Sequence, residues 1–155
     1  MNIVVDTNIV FSALISSSST IPDIIIAPFT YLKFYTSEYL FDELENHKEK
    51  LQKVSRLTEK DINIAKTKLF KYITTISLEI IPKEVWQEAE KLVADIDEDD
   101  IAFVALSIFL NAHLWTGDKV LYNGLKNKGF DKIIFTSEIQ ELLFFNQEKD
   151  RVKIG

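Results

Sequence analysis

Four carboxylates carry the chemistry this chain could do: Asp6, Glu43, Asp100 and Asp118. Each follows a predicted strand directly or lies in the first two turns of a predicted helix. In Met1-Asn2-Ile3-Val4-Val5-Asp6-Thr7-Asn8 a short apolar run stops at an acid and passes into a helical pattern. Leu114-Trp115-Thr116-Gly117-Asp118 repeats that arrangement late in the chain. The carboxyl ends of neighbouring strands in an open α/β sheet share one crevice, so acids far apart in sequence can meet there. Two bare carboxylates about 4 Å apart repel by roughly 4 kcal/mol at an effective dielectric near 20, and a divalent ion relieves that repulsion. If the acids converge, the site demands Mg²⁺ or Mn²⁺. An all-oxygen donor set without Cys or His suits these hard cations better than zinc.

Each acid also has a plainer explanation. Asp6 and Asp118 can cap the helices that follow them. Glu43 can stay exposed and pair with His47 one turn on. Asp97 and Asp100 have a capping-box-like spacing. Caps need only be polar, however, and Ser, Thr or Asn would serve equally well at all of these places. Capping also leaves unexplained why Asp97-Glu98-Asp99-Asp100 crowd one turn, since like charges repel unless a cation or solvent separates them.

The elements that must position the acids follow from hydrophobic period and punctuation. Asn2 to Val5 predicts a buried strand, and Thr7 to Ile15 a helix ending in the serine loop Ser16 to Ser19. Pro22 suits the first turn of a second helix through Ile24, Ile25, Ile26 and Phe29, and Leu32 to Thr36 alternates toward strand. A helix from near Ser37 carries Leu40, Leu44 and Leu51 on one stripe as far as a hinge at Ser55 to Thr58. Thr58-Glu59-Lys60-Asp61 opens the next, with Ile62, Ala65, Leu69 and Ile73 at helical spacing. Thr75 to Ile81 is β-rich and ends at Pro82, and Glu84 to Ala94 returns to helix. Ile101 to Ala112 is apolar nearly all round, which predicts a central buried helix. His113 to Thr116 is a strand, Lys119 to Lys128 a helix closed by Gly129, and Lys132 to Phe135 a strand. Ser137 to Phe145 is a last helix, whose Phe144 and Phe145 we read as core in preference to a dimer face. Such alternation predicts parallel pairing through right-handed crossovers, hence an α/β fold with a helix-sheet-helix sandwich.

At 155 residues and 46% hydrophobic, the chain suits one domain, which we place at 1–146 with 147–155 as a polar C-terminal tail. With 27% charged residues and no uninterrupted apolar stretch of bilayer length, it reads as soluble, with no membrane partner. Met1 runs into a strand without a secretory leader. The absence of cysteine excludes disulfides, thiolate metal sites and a Cys nucleophile, and suits a cytoplasmic setting. His47 and His113 read as surface or structural. A net charge of -6 argues, alone, against nucleic acid. The distribution softens that: between His47 and Tyr72 eight bases face three acids, a local excess of five.

Val5-Asp6-Thr7-Asn8-Ile9, Glu43 within Ser37 to Leu44, Asp100 opening Asp100-Ile101-Ala102-Phe103-Val104-Ala105-Leu106-Ser107, and Thr116-Gly117-Asp118 occur in an order and separation that resemble a PIN domain over nearly the whole length. The resemblance implies a parallel five-stranded sheet in a three-layer α/β/α sandwich. It also implies a Mg²⁺- or Mn²⁺-dependent ribonuclease, of the kind that includes many toxins of toxin-antitoxin pairs. On it, Asp6, Glu43, Asp100 and Asp118 hold the metal, with Asn8, Ser37 and Thr116 as polar helpers toward the substrate. Asp97 and Asp99 stand in competing register with Asp100, which directly precedes the apolar helix. The implied partners are single-stranded RNA and an antitoxin protein, and a homodimer stays open. A receiver-like module in which an Asp accepts a phosphoryl group is the rival from another class. It expects an acid pair at the end of the first strand, where Asp6 is followed by Thr7 and Asn8. A catalytically idle PIN fold that binds RNA is the third reading.

Overall fold

The computed structural model describes residues 1–16, 18–27 and 31–155. Ile3, Val4 and Val5 form the core of strand β1 (Asn2–Val5), and all three are fully buried. That is the pattern of a strand covered on both faces. β1 is the middle of a five-stranded, wholly parallel sheet of order β3-β2-β1-β4-β5, the others being β2 (Lys33–Ser37), β3 (Ile73–Ile76), β4 (His113–Trp115) and β5 (Ile133–Ile134). The chain fills one side of β1 first, then crosses back to build the other, so the strand order reverses between β1 and β4. Such a switch point opens a crevice beyond the carboxyl ends of the strands.

Helices cover both faces. On one side α1 (Thr7–Ile15) packs on α2 (Thr20–Ile26), α3 (Tyr39–Asn46), α4 (Lys48–Ser55) and α5 (Glu59–Phe70). On the other, α7 (Ile101–Leu110) lies across β1, β2 and β4 and packs on α6 (Lys83–Val93), which also meets α8 (Lys119–Asn127). The final helix, α9 (Thr136–Ile154), shares a cleft with α2 at Ile24, Leu143 and Phe144. The three-layer α/β/α sandwich read from the sequence is therefore the fold. Among the described residues no single helix is long and apolar enough to cross a membrane.

Several element boundaries differ from the expectation, each for a local reason. The stripe Leu40, Leu44 and Leu51 is buried as expected but belongs to two helices broken at His47, whose φ of -107° leaves the helical range. Ile73 fits helical spacing from Leu69, yet it opens β3, and the expected strand end becomes a 3₁₀ turn at Leu78–Ile80. The apolar helix stops at Leu110 because Asn111 turns left-handed at φ 52°, a conformation Asn tolerates. Gly129, at φ 82°, lies just beyond the end of α8 as expected. The last helix does not end at Phe145 but runs through the polar segment to Ile154. Phe144 and Phe145 are 61% and 62% exposed, so the core reading of both is overturned. Phe29 lies outside the described residues, as does Ser17 of the serine loop.

α8 is held against the loop before α7 through Gly124, where an added Cβ would sit 2.5 Å from Ile96 Cδ1 and 3.0 Å from its Cγ1. On an open helix Gly→Ala gains about 1 kcal/mol, whereas overpacking costs about 1–3 kcal/mol. Gly124→Ala is thus expected to give no stabilisation in urea unfolding, and to stabilise by about 1 kcal/mol once Ile96→Ala has cleared the space. A stabilising single substitution would show that the two elements do not touch there.

Candidate metal and substrate site

The parallel sheet brings all four acids to one edge. Asp6 follows β1, Glu43 rides on α3 just after β2, and Asp118 follows β4. Asp100 opens α7, whose far end leads into β4, so its start lies at the same carboxyl edge. A cleft of about 140 Å³ there is lined by Asp6, Thr7, Asn8, Glu43, Asp97, Asp99, Asp100 and Phe103. At roughly 30 Å³ per water, it has room for a few ordered waters or a hydrated ion.

The plain capping explanations hold as well. Asp6 Oδ1 accepts from the Ile9 amide at 2.9 Å, and Asp118 Oδ1 from Val120 and Leu121 at 2.8 and 3.1 Å. Capping engages Oδ1 in each case. Glu43 accepts from the Thr7 hydroxyl at 2.6 Å, which anchors α3 to α1. Asp97 accepts from the Asp99 amide at 3.0 Å and is exposed, as is Asp99. Asp100 is half-buried and caps nothing with its side chain.

Burial decides the electrostatics. Asp6 is 3% exposed, and desolvation pushes its carboxyl up to about 6. The Ile9 amide and the Thr116 hydroxyl oppose that, while Glu43 and Asp118 add to it. Asp100 is pushed up to about 7, first by burial and then by the charges of Asp6, Asp97, Asp118 and Glu43. Glu43 is raised too, chiefly by burial, against the Thr7 hydrogen bond. None of the three ion pairs among the described residues involves these acids. Asp6 and Asp100 therefore feel the other acids with no ion pair to neutralise them, whereas Glu43 is raised further by Asp99 and Asp97 and is opposed by the nearby His47. Their placement stops short of a ready-made cage: among the described residues no three His, Cys, Asp or Glu side chains are arranged to hold one metal ion.

Of the three polar helpers, Asn8 is exposed and lines the cleft. Thr116 is fully buried, its Oγ1 accepting from the Asp118 amide at 3.1 Å and its hydroxyl serving Asp6. Ser37 is fully buried at the end of β2. The register that pairs Val4 with Tyr35, continued two residues, sets it level with Asp6. Among the described residues its Oγ is the one buried side-chain polar atom without a hydrogen-bond partner. An orphaned buried hydroxyl costs about 1–3 kcal/mol, so Ser37→Ala should leave stability unchanged or raise it by about 1 kcal/mol in chemical denaturation. A clear loss would mean that the hydroxyl is already satisfied. The residue the sequence reading missed is Thr7. Its only signal was a hydroxyl beside Asp6 at the helix start, and nothing local pointed to Glu43.

Comparison with known proteins agrees with this geometry. The PIN domain family model matches residues 4–138. VapBC2 from Rickettsia felis, solved bound to a DNA fragment from their promoter, shares 18% identity at a TM-score of 0.60, over 87% of this chain and 97% of that chain. VapBC-1 from nontypeable Haemophilus influenzae shares 14% identity at a TM-score of 0.58, over 82% of this chain and 94% of that chain. At such identities the likeness is one of fold. No curated protein matches the chain. With an acidic cleft at the switch point of a five-stranded parallel sheet and a family match over most of its length, this chain belongs to the PIN domain family, whose members are nucleases and generally depend on divalent metals.

Proposed function

We propose that the chain is a divalent-metal-dependent endoribonuclease acting on single-stranded RNA, with Asp6, Glu43, Asp100 and Asp118 as holders of Mg²⁺ or Mn²⁺. The observation that carries this reading is the crowding of carboxyls at one sheet edge, with Asp6, Glu43 and Asp100 lining a single cleft and Asp118 close enough to raise Asp6 and Asp100 although it does not line it. Two of them are raised to about 6 and about 7, with no paired base among the described residues. The donor chemistry fits a hard cation, since all the groups are oxygens. Ligation requires Glu43, Asp100 and Asp118 to turn inward toward Asp6, within the broad terminal torsions of Asp and Glu.

When bound, such an ion supplies Lewis-acid polarisation of the phosphodiester and acidifies the attacking water. The chain's own residues supply position. The Ile9 amide fixes the rotamer of Asp6, and the Thr116 hydroxyl braces both Asp6 and the backbone of Asp118. Thr7 holds Glu43 at the rim, while the exposed Asn8 offers a neutral hydrogen-bonding group to phosphate or ribose oxygens; the expected substrate contacts of Ser37 and Thr116 do not fit side chains that are fully buried. The substrate's negative charge is met farther out. The eight Lys and Arg between His47 and Tyr72 lie on α4, on α5 and in their flanking turns, next to α3, which carries Glu43.

The two solved structures named above are VapBC proteins, and that likeness supports an antitoxin protein as this chain's partner and a toxin role within such a pair. The catalytically idle fold is the second reading, favoured by the lack, among the described residues, of three groups arranged around one ion. Incubation with a single-stranded RNA oligonucleotide separates them. Cleavage in Mn²⁺, giving 5′-phosphate and 3′-hydroxyl ends and stopped by EDTA, is the result expected. Intact RNA under all metal conditions would leave only the idle fold.

A further inference from the structure

The family match ends at residue 138, and from Gln147 onward every residue of α9 is exposed, so the helix projects beyond the body of the domain. Two turns of helix standing free in water are marginal unless something packs on them. At 100° per residue, the face of α9 that buries Ile139 and Leu143 lies about 120° from a second stripe made of Leu142, Phe145, Lys149 and Val152. The three apolar members are 39%, 62% and 77% exposed in that order. Their spacing of three, four and three residues is the seam spacing of a two-stranded coiled coil, with one Lys inside it. Glu141 and Glu148 flank one side of the seam and Lys153 the other.

We propose that α9 is a self-association helix that pairs in parallel with α9 of a second copy of this chain. The flanking charges select the occupant and the direction, at a cost in stability from Lys149, which meets its own counterpart across a parallel seam. A two-fold axis along the helices sets the acidic flank of one copy against the basic flank of the other, so Glu148 faces Lys153 of its mate, twice over. An antiparallel pair would instead set acid against acid. The intrahelical pair of Glu148 with Arg151 at 3.3 Å is highly exposed and competes weakly. The contact is isologous, hence closed at two copies. With little more than two seam repeats, it falls at the small end of specific interfaces, so the dimer depends on concentration.

Sedimentation of the full chain between about 5 and 500 µM tests this, with circular dichroism to check folding. A monomer-dimer equilibrium is expected. Phe145→Glu should abolish it, Glu148→Lys should weaken it several-fold, and Glu148→Lys with Lys153→Glu should restore it. Because the chain has no cysteine, Val152→Cys reports direction: rapid disulfide linkage of two copies on mild oxidation is expected for parallel helices. A monomer at every concentration would overturn self-pairing and leave the stripe to a different protein. A dimer indifferent to Phe145→Glu, or one that Val152→Cys cannot link, would overturn it equally.

Discussion

Asp6→Asn is expected to lower Mn²⁺-dependent RNA cleavage by roughly 10³-fold or more, on the scale of removing one essential electrostatic group, while making the metal-free protein more stable. Both effects come from the same carboxyl. Asn caps a helix about as well as Asp, so the bond from the Ile9 amide survives. What disappears is a buried negative charge whose folded-state pKa is raised from 3.8 to about 6. A raised carboxyl means that the folded protein binds the proton more tightly than the unfolded chain. The stability this supplies is complete below about pH 4 and is lost as pH rises through about 6. The gain from Asp6→Asn should therefore be absent near pH 4 and reach up to about 3 kcal/mol at pH 8, two pKa units being worth about that much. Urea unfolding of both proteins at the two pH values checks it. Destabilisation at pH 8 would show that Asp6 is satisfied as a charged group without metal.

Mn²⁺ should raise the melting temperature of the unsubstituted protein by about 5–10 °C at a hundred times its dissociation constant. That concentration contributes about 2.7 kcal/mol, and a domain of this size shifts by about 2–4 °C per kcal/mol. Because Asp6 and Asp100 are raised to about 6 and about 7, protons compete with the metal below neutrality. The shift should shrink markedly from pH 8 to pH 5. Differential scanning fluorimetry at both pH values suffices, and an absent or pH-independent shift would count against metal at these acids. The two experiments are coupled, since Asp6→Asn should remove most of the Mn²⁺ response while raising the starting temperature.

The sheet was legible because its strands are short β-branched or aromatic runs that end abruptly, as at Val5-Asp6 and Trp115-Thr116. Parallel topology followed from their alternation with helices, and it brings the four acids to one edge. Features set by a single dihedral were not legible. Nothing in Glu45-Asn46-His47-Lys48 announces the break between α3 and α4, which rests on the backbone of His47 alone. Ile73 misled because four residues from Leu69 satisfies a helix as well as a chain entering a strand. α9 was read short because polar residues outnumber apolar ones beyond Phe145, although helix-favouring Gln, Glu, Lys and Arg continue. Phe144 and Phe145 looked like core because composition does not say which side of a helix another element will cover. At the site, sequence located the acids but not their poses: Asp6 and Asp118 cap helices and contribute to the acidic edge at once, and Thr7 holds Glu43 through a contact 36 residues apart.

The claim on which all this turns is that these acids gather a divalent cation. Anomalous diffraction from crystals grown with Mn²⁺ reads this directly. The expected result is manganese density in the cleft, about 2.0–2.3 Å from oxygens of Asp6 and Asp100, with Glu43 and Asp118 turned toward it. Crystals in which that cleft holds no manganese, or in which the metal sits on other residues, would contradict the account.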